Sequence, residues 1–105
     1  MNTKEGEFWK ENLPSDENDI DRFVIYLKMK TNYSEENCCE WYFNHAERFY
    51  IDACFILAIR FYSVCIELQP DMKNIYLKRA ACYLKVFEVK IQSIKNSFFS
   101  KSICF

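Results

Sequence analysis

The sequence predicts an all-α fold. The chain has 105 residues, the size of one small domain, with only one glycine and two prolines, fewer than a β fold with many tight turns uses. Apolar side chains recur at helical spacing in separate segments, and the segments are bounded by residues that cap or stop helices. Half of the residues are hydrophobic and 18% are aromatic, so these helices can bury a core.

The first predicted element is an N-terminal helix that follows a polar segment. Residues 1–14 are polar and end at Pro14, and we expect them to form a flexible lead. Ser15 is a predicted N-cap with acidic residues after it. Residues 15–33 are therefore predicted to be an amphipathic helix with its linker, which could pack as a cap on the next helices. The apolar positions of this helix are Ile20, Phe23, Val24 and Leu27.

Two further helices are predicted between residues 34 and 70. Ser34 is a second N-cap with glutamates behind it, and the helix it starts runs to about Tyr50 or Ile51. A short turn near Asp52 leads to a helix that ends at Leu68. Pro70 then stops the chain from continuing as a helix.

A fourth helix, from about residue 73 to 87, repeats a pattern of the second one. An aromatic, a small and an aromatic residue recur 34 positions later in the chain. The equivalent pairs are Tyr42 and Tyr76, Ala46 and Ala80, and Phe49 and Tyr83.

This register resembles the tetratricopeptide repeat (TPR) family, whose repeat is about 34 residues long. The family pattern continues in the second helix of the repeat, where this chain has Ala58, Tyr62, Cys65 and Pro70. The match covers residues 40–88, about one and a half repeats, within a TPR-like region of residues 34–88. The resemblance implies antiparallel helical hairpins, a fragment of an α–α superhelix, with Ala46 and Ala80 where helices approach closely and an extra N-terminal helix.

The sequence departs from the family in three places. His45 and Arg79 replace the usual leucine before the small residue, and the turn at residues 52–55 lacks the expected glycine. The tail, residues 89–105, does not match the family consensus. Gln92, for example, stands where an alanine is expected. Two explanations of this tail stay open: it belongs to a truncated product, or it is a degenerate capping helix.

Composition argues against several classes of function. The net charge is −1 without a basic stripe, so no nucleic-acid partner is predicted. No apolar run approaches the roughly 18 residues of a spanning helix, so no membrane association is predicted. The polar start of the chain and six cysteines without a Cys-x-x-Cys pair predict free thiols and a cytoplasmic location. Cys65 and Cys82 are expected to be small buried hydrophobes.

The residue types needed for chemistry are sparse. His45 is the only histidine, and near it stand Cys38, Cys39 and Glu40. A zinc site needs four ligands, usually in two short-spaced pairs, and the chain has no second cluster. No glycine-rich turn supports a Cys–His nucleophile. We therefore expect no metal, no cofactor and no enzymatic activity.

The TPR resemblance implies that the chain binds proteins on its concave face. The predicted function is that of a non-enzymatic interaction module, an adaptor or an assembly or co-chaperone-like factor that holds a peptide or helix of a partner. The alternative is a truncated isoform of a longer TPR protein, with little independent function or with a competing or regulatory role. The implied groove residues are Phe43, Glu47, Tyr50, Leu77, Lys78, Ala81 and Lys85.

The resemblance also bears on which partner is expected. Some TPR domains hold the C-terminal carboxylate of a chaperone with lysine and asparagine side chains. Here Phe43 and Glu47 stand at two of those positions and Lys78 stands where an asparagine is usual. Glu47 would repel an acidic tail, so the residues argue against a chaperone tail as the partner.

Overall fold

The computed structural model describes residue 14 and residues 16–103, with side chains described up to residue 95. All regular secondary structure in this part of the chain is helical, which confirms the all-α prediction. The predicted flexible lead, apart from Pro14, lies outside the described residues. The helices are α1 (Glu17–Lys30), a short 3-10 turn (Glu35–Asn37), α2 (Cys38–Ile51), α3 (Phe55–Leu68) and α4 (Lys73–Ile103).

Helix α1 is capped at both ends by side chains. Asp16, not the predicted Ser15, is the N-cap, and its Oδ1 accepts a hydrogen bond from the Asp19 backbone N–H at 2.8 Å. At the other end, the Thr31 hydroxyl donates to the Leu27 carbonyl at 2.6 Å. The same hydroxyl oxygen accepts from Trp41 Nε1 at 2.7 Å, so the end of α1 is tied to the start of α2.

Helix α2 begins later than predicted and ends where predicted. The backbone N–H of Ser34 donates to Asn37 Oδ1 at 2.9 Å, which closes the 3-10 turn, and the α-helix starts only at Cys38. At Ile51 the chain leaves the helix, and Ala53 has a φ of 62°. This left-handed conformation is the one that glycine adopts most easily, so Ala53 occupies the turn whose expected glycine the sequence lacks.

The main core lies between α2 and α3. Ala46 on α2 and Ala58 on α3 are both fully buried in the same cluster. Interiors are close-packed, so the burial of both alanines indicates close contact between α2 and α3, with Ala46 in the core as predicted. The large or polarizable members of this cluster are Trp41, Tyr42, Phe61, Tyr62, Cys65, Ile75 and Cys82.

Helix α4 packs on α3 through its first half. Ile75 and Cys82 are fully buried, and Arg79 Nη1 donates to Ser63 Oγ at 3.1 Å. The prediction that this helix ends near residue 87 is wrong, because α4 continues to residue 103. No glycine or proline follows Pro70 in the sequence, so nothing local interrupts the helix.

Helix α1 lies against the α2–α3 hairpin. Ile20 and Phe23 form a second buried cluster with Leu57, and the Phe23 ring lies 5.9 Å from the Phe49 ring. Arg60 adds exposed ion pairs to acidic side chains of α1, at 2.9 Å to Glu17 and 3.0 Å to Asp21. Such pairs contribute little individually, so the apolar cluster is the main attachment of α1.

The second copy of the aromatic–small–aromatic pattern is not packed as predicted. Ala80 is exposed, and the side chains of Tyr76 and Tyr83 are 40% and 53% exposed. The sequence predicted all three at packing positions. The buried side chains of α4 are instead Ile75 and Cys82, and within the described residues no helix follows α4 to cover Tyr76, Ala80 and Tyr83.

Candidate partner-binding groove

Five of the predicted groove residues come together between α2 and α4: Phe43, Glu47 and Tyr50 on α2, and Lys78 and Ala81 on α4. Phe43, Glu47 and Tyr50 are spaced by four and three residues, so they share one face of α2. Lys78 reaches this face from α4. A cavity of about 190 Å³ lies between the two helices and is lined by Glu47, Tyr50, Tyr62, Lys78 and Ala81.

An ion pair crosses this groove. Lys78 Nζ lies 2.9 Å from Glu47 Oε1, and the Tyr62 hydroxyl donates to the same oxygen at 2.6 Å. Burial alone would raise the pKa of Glu47, but the hydrogen bonds from Tyr62 and Lys78 and the charge of Lys78 together lower it. Burial and the neighbouring Glu47 raise the pKa of Tyr62. The charged form of the Glu47 carboxylate is therefore favoured beside Lys78.

Two aromatic side chains flank the ion pair. Lys78 Nζ lies 5.8 Å from the centroid of the Phe43 ring, which is itself 6.2 Å from the Tyr62 ring. The Tyr50 ring lies 5.5 Å from the Phe55 ring. Phe43 and Tyr50 are half-buried and pack on the edge of the main core, so each has one side in the core and another available to a partner.

Three predicted residues do not line the cavity: Phe43 contacts its lining residues Tyr62 and Lys78 from outside, and Leu77 and Lys85 lie elsewhere on α4. Leu77 is 73% exposed on α4, and Lys85 Nζ lies 3.7 Å from Glu88 Oε2 on the same helix. Tyr62 lines the cavity but is not among the predicted groove residues, because the family pattern assigns it to packing. Its ring is buried as that pattern predicts, and only its hydroxyl reaches Glu47.

His45 lies among aromatic rings on the other side of α2. Its ring centroid is 4.5 Å from that of Trp41 and 6.2 Å from that of Phe61. Burial, with a smaller contribution from Arg48, lowers the pKa of His45. Across the described residues, no three His, Cys, Asp or Glu side chains group as metal ligands would. These contacts make His45 a neutral packing residue near pH 7.

The buried cysteines are part of the core. Cys65 and Cys82 are fully buried, as predicted. Burial, together with the neighbouring Cys39, raises the pKa of the Cys65 thiol to about 12. A protonated, inaccessible thiol is a poor nucleophile, so Cys65 contributes to packing and not to chemistry.

The geometry defines a small all-α protein whose groove combines aromatic faces with an ion pair. Comparison with protein-family models, with curated proteins and with solved structures found no match. The TPR resemblance therefore rests on this chain's own residues and their 34-residue register. Among the helices described, none combines the length and apolar character needed to cross a bilayer.

Proposed function

We propose that the chain is a non-enzymatic protein-interaction module of the TPR type, an adaptor or assembly factor that holds a peptide or helix of a partner between α2 and α4. The observation that carries this proposal is the convergence of Glu47, Tyr50 and Lys78 around one cavity, with the Phe43 ring beside Lys78. Aromatic side chains beside a charge are common anchors of protein interfaces.

The charges of the groove favour an apolar anchor on the partner. Lys78 is paired with Glu47 at 2.9 Å, so an incoming carboxylate would have to break that pair and approach Glu47. An apolar side chain could instead enter the cavity beside Tyr50 and Ala81 without disturbing this ion pair. The cavity of about 190 Å³ is below the roughly 300–1,000 Å³ of small-molecule sites, which also favours one inserted side chain.

The proposal is tested by selecting peptides from a display library on the full chain. Phe43→Ala and Tyr50→Ala should each weaken a selected peptide by about 1–2 kcal/mol, about a 5- to 30-fold loss of affinity. Met29→Ala is the matched control, since Met29 is a 73% exposed apolar residue on α1. Circular dichroism of each variant separates loss of binding from loss of fold.

Two results would contradict the proposal. One is full peptide affinity in a folded Phe43→Ala/Tyr50→Ala double variant. The other is an equal loss of affinity in Met29→Ala. If the double variant instead loses its helical signal, the two aromatics act in the core, and Lys78→Ala then tests the groove from the α4 side.

We also propose that the module works in the cytoplasm. The five described cysteines are free, and Cys65 and Cys82 pack as thiols in the core. Unpaired cysteines are usual in a reducing compartment, which supports this location.

A further inference from the structure

The C-terminal half of α4 extends beyond the helix on which α4 packs. Helix α4 has 31 residues and is about 46 Å long, whereas α3 has 14 residues and is about 21 Å long. The buried residues described on α4, Ile75 and Cys82, both lie in its first third. From Phe87 to Lys95, every side chain except that of Ile91 is exposed. This half of α4 therefore lies largely outside the helical body that the structure describes.

Apolar side chains form a stripe along this extended half. Leu84, Phe87, Ile91 and Ile94 are spaced by three, four and three residues, so they share one face of the helix, which we call the distal face. Leu84 is 55%, Phe87 60% and Ile94 64% exposed. The distal face points away from the core, because Phe87 lies five residues after the buried Cys82, about 140° around the helix. A contiguous exposed apolar stripe marks a candidate interaction surface.

The charge of the chain changes sign at α4. Residues 16–72 carry five basic and eleven acidic side chains, whereas residues 73–95 carry six basic side chains and one acidic one. The acidic one is Glu88, whose Oε2 lies 3.7 Å from Lys85 Nζ. The described part of α4 is therefore a basic element attached to an acidic body, which favours an anionic partner for α4.

Two lysines lie at the edges of the distal face. By helical position Lys90 and Lys95 are on opposite sides of the apolar stripe. Both are exposed, and neither forms an ion pair with another side chain that the structure describes. The acidic side chains Glu17 and Glu67 lie beside Tyr83, in the half of α4 that packs on α3. Positive charge without a partner is therefore concentrated at the distal face.

An anionic lipid surface fits the distal face better than a protein does. The face belongs to a single helix and is convex, so a flat surface can contact the whole apolar stripe at once, whereas a protein would need a groove shaped around that helix. A second copy of α4 would bring Lys90 and Lys95 close to like charges. A helix with an apolar face and lysines beside it is typical of segments that lie in a membrane interface without spanning the bilayer.

We propose that the distal face of α4 binds the surface of a membrane that contains anionic lipids. The four apolar side chains enter the boundary between headgroups and acyl chains, and Lys90 and Lys95 contact the negatively charged headgroups. This contact needs no spanning segment, and it replaces the expectation from the sequence that the chain does not associate with membranes. The inference is independent of the partner groove, because no residue of the distal face lines the cavity between α2 and α4.

The experiment is sedimentation of the full chain with lipid vesicles. One set of vesicles is phosphatidylcholine alone, and the other is phosphatidylcholine and phosphatidylserine in a ratio of two to one. The chain should pellet with the anionic vesicles, be released by added salt, and stay in the supernatant with the neutral ones. Ile94→Ser should lower the affinity for anionic vesicles at least about tenfold, and Lys90→Gln and Lys95→Gln about fivefold each. Val89→Ser is the matched control, since Val89 is 63% exposed, against 64% for Ile94, and lies on the opposite side of α4.

Circular dichroism without vesicles shows whether each variant is folded, and Phe87→Ser takes the place of Ile94→Ser if that variant loses helical signal. The proposal is overturned if the unmodified chain stays in the supernatant with anionic vesicles or pellets equally with neutral ones. Equal losses of affinity in Ile94→Ser and Val89→Ser would also overturn it. Binding to soluble polyglutamate but not to anionic vesicles would assign the distal face to an acidic protein. A dimer that Ile94→Ser abolishes, without vesicle binding, would assign it to a second copy, and either result overturns the proposal.

Discussion

Substitution by leucine is expected to have very different effects at the two equivalent alanines, Ala46 and Ala80. Ala46 is fully buried in the cluster between α2 and α3, whereas Ala80, which is 34 residues later, is exposed on α4. From the sequence pattern alone, leucine at either position would overpack a helix contact. The structure predicts that only Ala46→Leu is strongly destabilising.

The expected magnitudes follow from burial. Leucine adds an isopropyl group at a site where Ala58 of the facing helix is also fully buried, and overpacking of this kind costs roughly 1–3 kcal/mol. At Ala80 the added group points to an exposed surface, and leucine is a good helix former, so the change should stay within about 0.5 kcal/mol. Each kcal/mol corresponds to about 4–8 °C in Tm for a domain near this size.

Thermal denaturation followed by circular dichroism measures both variants beside the wild type. Urea denaturation gives the free energy of unfolding and shows whether the slope with denaturant stays constant. Similar losses in Ala46→Leu and Ala80→Leu would refute the packing described for α4. A larger loss in Ala80→Leu would mean that a helix covers this face of α4.

Three further predictions concern single features. The pKa of His45 is lowered from 6.5 in the folded chain. As the pH falls below 6.5, the unfolded chain therefore binds the proton before the folded chain does. Stability should fall with pH until the pH passes the lowered pKa of the folded state. His45→Leu should remove this fall in urea denaturation series, and an unchanged pH dependence would contradict it. Ala53→Gly should stabilise the chain by about 0.5–1 kcal/mol. The left-handed conformation costs alanine about 1–2 kcal/mol, which outweighs the roughly 0.4–1 kcal/mol of entropy that glycine adds to the unfolded state. A lower Tm in this variant would contradict the left-handed conformation of residue 53. Deletion of residues 89–105 should barely change Tm, since Val89 and Ile94 are largely exposed, and unfolding on deletion would show that the tail is a true cap.

The sequence could predict the elements that local signals define. The capping residue Ser34 and the stop at Pro70 lie at element boundaries in the structure, and α2 and α3 end at Ile51 and Leu68 as expected. The buried side of the first hairpin was also predictable, because Ala46 and neighbouring apolar residues repeat at helical spacing.

The sequence could not predict the features that depend on how the helices pack against one another. The pattern Tyr76–Ala80–Tyr83 identifies an apolar face of α4 but not whether another helix covers it. The end predicted near residue 87 relied on the family register, whereas the local sequence has no residue that ends a helix. The hydrogen bond from Tyr62 to Glu47 joins side chains of two helices, and its geometry depends on how those helices pack.

The central claim is that the surface between α2 and α4 binds a partner. The most direct test is a titration of the ¹⁵N-labelled full chain with a display-selected peptide, followed by backbone amide shifts. If this surface binds the peptide, the largest shifts fall around Phe43, Glu47 and Tyr50 on α2 and around Lys78 on α4, and they disappear in a folded Phe43→Ala/Tyr50→Ala variant. Shifts that centre on another surface, or that persist in the double variant, would contradict the central claim.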